Sequence, residues 1–270
     1  MCEAIAREES PSCVARFLRH YMLSYICEGE FRHKRVLDFG CGGGASTFNM
    51  ARMFPETEIV GVELDEWRID VANKRRDHYA LPNVAFRLSP GPDRLPEDLG
   101  AFDFISLSAV YEHLHPHERK LLMPKLWGLL KPGGVLFLNQ TPHRYFPLEH
   151  HTTGLPLLNY LPKELALASA RRLSRRVDPS ESWEGLLRSG VRGGSVREVL
   201  GLLRATCDRD PRLLKPSRLG MSDRIDLWYA VSTADGRGRL RPLMRVIFKA
   251  FKRASGRTVV PSLNLAIQKG

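Results

Sequence analysis

Two groups of residues in this sequence have types and spacings that suit chemistry. The first is the turn at residues 40–44, Gly-Cys-Gly-Gly-Gly, which follows a short apolar stretch and Asp38. Glycine adopts positive φ angles without strain and lets a ligand approach the peptide groups, so this turn predicts a ligand-binding backbone. The second group consists of six histidines that suit proton transfer: His113, His115, His117, His143, His150 and His151.

Two classes of cofactor compete for the glycine turn. Gly40, Gly42 and Ala45 satisfy the dinucleotide pattern G-x-G-x-x-G/A, and Glu63 follows at about the right distance. Asp38, at the mouth of the turn, favours a different ligand. A carboxylate there repels a pyrophosphate but attracts a ligand that carries an ammonium and a sulfonium group, such as S-adenosylmethionine (SAM).

Residues 36–44, Val-Leu-Asp-Phe-Gly-Cys-Gly-Gly-Gly, resemble the first motif of the class I SAM-dependent methyltransferases. Three later stretches keep that family's order. Residues 58–65 resemble its second strand with the acidic residue at the end, residues 102–114 its fourth strand and the following turn, and residues 129–138 its fifth strand with the preceding turn. The resemblance implies SAM as the cofactor and a doubly wound, mostly parallel, seven-stranded α/β sheet of Rossmann-like type.

The resemblance also implies roles for individual residues. Asp38 would hold the methionine ammonium, directly or through water, and Glu63 would accept hydrogen bonds from both ribose hydroxyls. Ser108 would line the sulfonium side, and Cys41 would pack under the cofactor. The cofactor-binding residues predicted in this way are Asp38, Gly40, Cys41, Gly42, Gly44, Glu63, Leu64 and Ser108.

One stretch departs from the family pattern. After the third strand the family often has Gly-Asp, whose carboxylate meets the adenine amine, whereas residues 89–92 here are Ser-Pro-Gly-Pro. Adenine recognition is therefore left to backbone groups or to Asp93.

Methyl transfer to an oxygen of high pKa needs a general base. Residues 149–156 contain Glu-His-His and Gly-Leu-Pro, which resembles a stretch of bacterial methyltransferases of the small-molecule and glycan type. We predict that His151 is the base and that Glu149 orients it. His113 is the third catalytic candidate, and His143 and His150 are weaker ones.

No metal site is predicted from the histidines that follow the fourth strand. His113, His115 and His117 are spaced by two residues, which suits a strand, whereas a loop-to-helix turn is predicted here. The five cysteines are scattered and form no C-x-x-C pair, so neither a zinc site nor a disulfide framework is indicated.

The elements that must position these residues follow from the hydrophobic periodicity. Short apolar stretches alternate with amphipathic ones, which predicts a parallel, doubly wound sheet. Strands are predicted at 35–39, 58–62, 83–88, 102–107, 134–139, 224–232 and 258–268. Helices are predicted at 11–28, 45–53, 66–79, 116–130, 162–176, 195–206 and 239–254.

These elements predict four regions. Residues 1–34 form an N-terminal helical cover, residues 35–160 the SAM-binding core, and residues 161–223 a helical insertion or cap. Residues 224–270 supply closing strands and a basic amphipathic helix to the same domain.

The net charge of +11 is unevenly distributed. Residues 161–270 hold 23 basic and 10 acidic residues, whereas residues 1–160 hold 18 basic and 20 acidic ones. Such asymmetry favours a polyanionic or membrane-surface partner. For the helix at 239–254 we weigh two placements: its apolar face packs on the sheet, or it docks on an anionic membrane.

The sequence predicts a SAM-dependent methyltransferase that acts on oxygen of a small-molecule, sugar, glycan or lipid-linked acceptor. The alternatives are an RNA methyltransferase and a non-catalytic SAM-binding scaffold. The motifs of base-amino methylation (Asn/Asp-Pro-Pro-Tyr/Phe) and of Pro-Cys catalysis are absent, which disfavours nucleic acid. The chain has no run of about 18 apolar residues and no apolar signal core among its first ten, so we expect a cytoplasmic location.

Overall fold

A seven-stranded sheet forms the centre of the computed structural model, which describes residues 5–6, 9–10, 13–205, 210–232 and 240–270. The strands are β1 (Arg35–Phe39), β2 (Glu58–Glu63), β3 (Val84–Leu88), β4 (Phe102–Ser108), β5 (Leu130–Pro142), β6 (Pro211–Leu213) and β7 (Ser262–Lys269). Their order is β3-β2-β1-β4-β5-β7-β6. The strands β1 to β5 pair in parallel, and β7 runs antiparallel to β5 and β6. The predicted fold class is confirmed.

Nine α-helices are described around and beyond this sheet. They are α1 (Val14–Leu23), α2 (Ala45–Met53), α3 (Glu66–Tyr79), α4 (Pro116–Leu129), α5 (Lys163–Leu173), α6 (Trp183–Arg188), α7 (Val196–Arg204), α8 (Arg224–Ser232) and α9 (Arg241–Ser255). Helices α1, α2, α3 and α8 contribute to the core on one face of the sheet, and α4 and α7 to the core on the other. Local signals set some starts: Asp65 caps α3, and Pro116 occupies the first turn of α4.

The strand predicted at 224–232 is wrong, because this segment is the helix α8. Asp223 accepts hydrogen bonds from the backbone N–H groups of Ile225 and Asp226, which satisfies donors at the helix start. The helix packs against α1 and α9. The sheet is completed instead by β6.

The helical insertion is smaller than predicted. Both α7 and β6 fall within 161–223, yet they belong to the layers of the sheet, since Val199 and Leu203 of α7 join the core under α4. A separate small core lies between α5, α6 and the chain before them; its buried residues are Leu158, Ala166, Ala170, Leu186 and Val191. The insertion therefore lies between β5 and α7.

The basic helix predicted at 239–254 is confirmed as α9, but it does not pack its apolar face on the sheet. None of its residues is buried, and it contacts α8. Residue 239, Cys2, Cys207 and the first two residues of the helix predicted at 11–28 lie outside the described residues. Among the described helices, none combines the length and the apolar character needed to cross a membrane.

Candidate active site

A cleft of about 440 Å³ lies where the carboxyl ends of β1, β2 and β4 meet. This edge of the sheet is where open α/β folds bind ligands, and the volume falls within the roughly 300–1,000 Å³ of ligand pockets. Its lining comprises Phe39, Gly40, Val62, Glu63, Leu64, Arg68, Ser89, Gly91, Pro92, Ala109, Val110, His113, Leu114 and Arg188. The cleft therefore extends from the β2–β3 side, which we name the cofactor end, to His113.

The glycine turn approaches the rest of the cleft too closely for a side chain. Gly40 has φ +75°, and a Cβ atom there would lie 2.5 Å from Cγ2 of Val110. The backbone N–H of Gly40 donates to the carbonyl of Val62 at 2.8 Å. Glycine is thus required at this position both by the left-handed backbone and by the contact.

Glu63 joins the turn to the end of β2. Its Oε2 accepts the N–H of Gly42 at 2.8 Å, and its Oε1 accepts the N–H groups of Leu64 and Asp65 at 2.8 and 3.2 Å. Each carboxylate oxygen accepts more than one hydrogen bond, so this half-buried group retains capacity toward the cleft. Beside it Leu64 is 49% exposed and offers an apolar surface.

The structure brings three predicted cofactor residues to the cleft, namely Gly40, Glu63 and Leu64. Five others do not line it: Asp38, Cys41, Gly42, Gly44 and Ser108. Gly42 and Gly44 shape the turn with positive φ angles. Cys41 is buried, and Ser108 lies 3.4 Å from Ser106, Oγ to Oγ.

Asp38 is buried and does not line the cleft, whereas the resemblance implied that it holds the methionine ammonium directly or through water. It is 1% exposed, and its Oδ2 accepts hydrogen bonds from the hydroxyls of Ser46 and Thr47 at 2.6 and 2.7 Å. Burial raises the pKa of the Asp38 carboxyl, although the two hydroxyls oppose this. In this structure Asp38 holds the start of α2 against β1.

The cofactor end fits a nucleoside carrying two vicinal hydroxyls. The Glu63 carboxylate can accept both hydroxyls, and Leu64 can pack on a base. Ser89, Gly91 and Pro92 line the same end. The Ser89 hydroxyl lies within hydrogen-bond distance of the carbonyl oxygens of Gly91 and Arg94. Asp93 does not line the cleft, which favours backbone groups for the adenine edge.

Glu112, His113 and His151 lie together at the other end of the cleft, where only His113 lines it, and we name this group the acceptor end. The His113 Nδ1 atom lies 2.7 Å from the carbonyl oxygen of Arg188. A carbonyl only accepts hydrogen bonds, so Nδ1 carries the proton and Nε2 of the neutral ring has a free lone pair.

The tautomer of His151 follows in the same way. Its Nδ1 lies 3.1 Å from the carbonyl oxygen of Ser189 and 3.3 Å from the hydroxyl of Thr152. The Thr152 hydroxyl donates its own hydrogen to Ser189 at 2.6 Å, so both neighbours act as acceptors. Nε2 of the neutral His151 ring is therefore unprotonated as well, and the two imidazole centroids lie 5.5 Å apart.

Glu112 supplies a buried carboxylate to this pair. Its side chain is 0% exposed, and Oε2 accepts the hydroxyl of Thr141 at 3.0 Å. Oε1 has no hydrogen-bond partner among the described residues and lies 3.9 Å from Nε2 of His113. Burial raises the pKa of the Glu112 carboxyl, while hydrogen bonds from the backbone and from Thr141, and the two histidines when they are protonated, oppose this.

A distant helix positions the acceptor end. Arg188, the last residue of α6, forms two hydrogen bonds with the Glu118 carboxylate of α4 at 2.9 and 2.7 Å. Gly190 then has φ +98°, and a Cβ atom there would lie 2.7 Å from Nδ1 of His151. The sequence did not indicate Arg188 and Ser189. Their backbone carbonyls accept hydrogen bonds from His113 and His151, and every residue type has such a carbonyl. Gly190, directly after a helix, was the available signal.

Glu149 does not orient the imidazole of His151. Its Oε1 accepts the backbone N–H groups of His151 and Thr152 at 3.0 Å, and its Oε2 accepts the N–H and hydroxyl of Thr153. No Glu149–His151 ion pair occurs in the part of the chain that the structure describes. Both oxygens of the Glu149 carboxylate accept hydrogen bonds within the turn that carries His151, and the carboxylate grouped with the two imidazoles is that of Glu112.

The remaining candidates lie outside the acceptor end. His143 is buried, its Nδ1 accepts the N–H of Tyr145 at 3.0 Å, and burial together with Arg224 lowers its pKa to about 4. The ring of His150 packs edge-on against Phe146. His115 and His117 stack on each other at the start of α4.

The acceptor end also has the composition of a divalent-metal site. One potential ligand atom from each of Glu112, His113 and His151 lies within 4.8 Å of the other two. Two imidazoles and a carboxylate suit zinc, and histidine ligands often donate their second N–H to a carbonyl, as both rings do here. The arrangement can thus serve either a proton acceptor or a cation.

Two non-glycine residues with positive φ mark the same edge of the sheet. Ala109 has φ +56° after β4, and Gln140 has φ +63° near the end of β5. Left-handed backbone at such residues costs of order 1–3 kcal/mol and clusters at functional sites. Neither residue type signals this conformation in the sequence.

Comparison with known proteins agrees with the class that the fold and cleft define. The family described as "Methyltransferase domain" matches residues 36–134. A trans-aconitate 2-methyltransferase of Variovorax paradoxus is 30% identical over 238 residues, which cover 82% of this chain and 87% of that protein. A ubiquinone biosynthesis O-methyltransferase of Acinetobacter baylyi is 29% identical over 46% of this chain and 52% of its own.

The relatives are covered to different extents. A trans-aconitate 2-methyltransferase of Methylobacterium radiotolerans is 39% identical, but only 35% of its length is covered. Among solved structures, PKMT2 of Rickettsia typhi superposes on 94% of this chain and 51% of its own, with a TM-score of 0.51 and 15% identity, which supports the fold. The chain belongs to the class I SAM-dependent methyltransferases, and SAM is its cofactor.

Proposed function

We propose that this methyltransferase methylates an oxygen atom of a small-molecule acceptor and that His151 accepts the acceptor's proton. The observation that carries the proposal is the acceptor end. There, two imidazoles present unprotonated Nε2 atoms beside the buried carboxylate of Glu112, and His113 lines the cleft.

The two histidines have different surroundings. Nε2 of His113 faces the Glu112 carboxylate at 3.9 Å, so a proton on this ring forms an ion pair. Nε2 of His151 has no hydrogen-bond partner among the described residues, and its ring is exposed. We therefore assign the base to His151, and we assign to His113 and Glu112 the stabilisation of the positive charge that develops when His151 takes up the proton.

The chain's residues supply binding, orientation and the proton acceptor. Glu63, Leu64 and the Ser89–Pro92 loop hold the nucleoside part, and Gly40 permits close approach along the turn. SAM, when bound, supplies the activated methyl group. The proton of the acceptor oxygen would pass to Nε2 of His151 as that oxygen takes the methyl group, the bond between the methyl carbon and the sulfonium sulfur breaks, and S-adenosylhomocysteine leaves.

The acceptor class rests on the relatives and on the site. Their names, trans-aconitate 2-methyltransferase and ubiquinone biosynthesis O-methyltransferase, support a small molecule and, in the second case, oxygen. Sugar, glycan and lipid-linked hydroxyls belong to the same proposal. An RNA acceptor is less well supported, because three cations of the basic helix α9 are paired with carboxylates. A non-catalytic SAM-binding scaffold would not need the two histidines and the buried carboxylate of the acceptor end.

The test begins with release of S-adenosylhomocysteine (SAH) in pools of hydroxylated small molecules. With the acceptor so found, His151→Ala should lower turnover about 10²–10⁴-fold and leave SAH affinity unchanged by calorimetry. His117→Ala, which removes an exposed histidine, is the matched control and should retain activity. Retained turnover in His151→Ala and in His113→Ala would contradict the proposal.

A chelator distinguishes between a general base and a bound cation at the acceptor end. If His151 acts as a base, activity persists in excess EDTA. Loss of activity in EDTA, with recovery on adding Zn²⁺, would show that the acceptor end holds a metal instead.

We also propose the cytoplasm as the location, with peripheral contact to an anionic membrane. The contact concerns α9, none of whose residues lines the cleft.

A further inference from the structure

Helix α9 exposes its apolar residues. Leu240, at its start, and four residues of the helix form one stripe at helical spacing and are 47–68% exposed; the five are Leu240, Leu243, Val246, Ile247 and Phe251. A helix of a water-soluble protein usually turns such a stripe toward the core. The helix is amphipathic, as the sequence predicts, but its apolar stripe points away from the protein instead of toward the core.

The reversal is explained by two carboxylates near α8. Asp226 accepts a hydrogen bond from Nε of Arg245 at 2.9 Å and forms an ion pair with Lys249 at 2.7 Å. Asp223 accepts from Lys252 at 2.7 Å. The side chains of these three cations are 35–40% exposed, which is less than any of the five apolar residues.

The pairing fixes the rotation of α9. Burial tends to raise the pKa of Asp226, but hydrogen bonds from Lys249, Ser222 and Arg245 outweigh it and hold the pKa well below its usual range. Turning the helix to bury the apolar stripe would leave this buried carboxylate unpaired, which is strongly unfavourable. Phe248 also packs against Trp228, with ring centroids 5.1 Å apart.

We infer that the outward apolar stripe of α9 docks on an anionic membrane surface, an inference that deepens the proposed membrane contact and is independent of the proposed chemistry. Residues 223–257 contain nine basic and three acidic residues. Anionic lipid attracts this charge while the stripe enters the boundary between headgroups and acyl chains.

The same charges argue against other occupants. A second copy of the chain would bring two strongly positive segments together, and like charges across an interface are unfavourable. Nucleic acid would use outward cations such as Arg253 and Arg257 but would leave the outward apolar stripe without a partner, whereas an anionic membrane takes both.

The docking surface continues toward the acceptor end. Phe248 of α9 contacts Phe146 edge-on at 6.1 Å, and Phe146 contacts the ring of His150 at 6.2 Å. The loop that contains Phe146 also exposes large apolar and aromatic side chains: Tyr145, Leu148, Leu157 and Tyr160. A membrane under α9 would therefore lie near the loop that carries His151, which suits an acceptor with a lipid-soluble part.

The experiment is flotation of the full chain with vesicles of phosphatidylcholine alone or with phosphatidylglycerol. The wild-type protein should float with the anionic vesicles, and high salt should weaken the binding. A triple variant, Leu243→Ser, Ile247→Ser and Phe251→Ser, should bind at least 10-fold more weakly. The control Leu165→Ser, Leu173→Ser removes two exposed leucines of α5 and should bind as the wild type does.

Circular dichroism and SAH calorimetry establish that the variants fold. No flotation of the wild-type protein would overturn both the membrane contact and the docking face, without bearing on methyl transfer. Undiminished flotation of the folded triple variant would overturn the face alone. A dimer in sedimentation that the triple variant abolishes, without flotation, would assign the stripe to a second copy.

Discussion

The two ends of the cleft are built in different ways. The cofactor end takes Gly40, Glu63 and Leu64 from a short run of chain, the β1 turn and the end of β2. The acceptor end joins Glu112 and His113 to His151, and its hydrogen bonds reach 75 residues along the chain to Arg188. The cofactor end consists mainly of the backbone of the glycine turn and the Glu63 carboxylate. The acceptor end is a set of side chains whose protonation is fixed by carbonyls from elsewhere.

This difference bears on how each end can be changed. The cofactor end depends on backbone geometry, so adding a side chain to a closely packed glycine of the turn should weaken cofactor binding. The acceptor end depends on pairing between distant segments, so its frame should respond to changes in proton binding and hydrogen bonding. Four predictions test that contrast.

The largest effect is expected at the cofactor end. Gly40→Val places a β-branched side chain at φ +75° and against Val110, so SAH affinity should fall by about 3 kcal/mol, roughly 100-fold. Gly43→Ala is the matched control, because a Cβ there meets only ordinary contacts near 3.8 Å. Calorimetry on both variants decides. Equal affinities would mean that backbone shape does not govern this end.

The chain between β5 and His151 should contribute to the pH dependence of stability through His143, which is buried outside the acceptor end. Burial and Arg224 lower the pKa of His143 from 6.5 to about 4. Between these values the unfolded chain binds a proton that the folded chain does not, so stability is full above pH 6.5 and falls as the pH drops toward 4. The loss amounts to about 3 kcal/mol.

Urea unfolding at pH 7 and pH 5 should detect about 2 kcal/mol of this change, because the folded-state pKa of His143 lies below pH 5. His143→Gln keeps an acceptor for the N–H of Tyr145 and should show a smaller loss between the two pH values than the wild-type protein. The same loss in both proteins would assign the pH dependence to other groups.

Glu63→Ala should weaken SAH binding by about 1.5–3 kcal/mol, because it removes charge-assisted hydrogen bonds and releases the N–H of Gly42. Glu66→Ala, a change at the exposed first residue of α3, serves as the control. The acceptor end should be unaffected, so turnover at saturating SAM should stay within a few-fold of the wild-type value. A large loss of turnover at saturation would show that the two ends are coupled.

The smallest effect separates a structural carboxylate from a catalytic one. Glu149→Gln replaces an acceptor of four hydrogen bonds by an amide whose NH₂ faces donors, so the protein should lose about 1–3 kcal/mol of stability. Below its lowered melting temperature, turnover should stay near that of the wild-type protein. A turnover as low as that of His151→Ala would restore the orienting role predicted from the sequence.

Sequence and structure agree where chemistry is local. The glycine turn and Glu63 could be predicted, because a strand end, a φ-permissive turn and an acidic residue lie within one stretch. Asp38 could be recognised as a residue of the turn, but its structural role could not be predicted. Its hydroxyl partners Ser46 and Thr47 come within hydrogen-bond distance only when α2 folds back on β1. Residues 224–232 were misassigned, because weak alternation does not distinguish a strand from a helix capped by Asp223.

The sequence by itself determined the parallel sheet, its glycine-rich ligand turn and the amphipathic character of α9, because these depend on spacing and residue type along a few turns or strands. Only the tertiary structure decided that Glu112 rather than Glu149 lies beside the histidines, and that α9 turns its apolar stripe outward. Both outcomes depend on where carbonyls and carboxylates of distant segments come to lie. Such pairing energies come from contacts across the fold, which no local periodicity encodes.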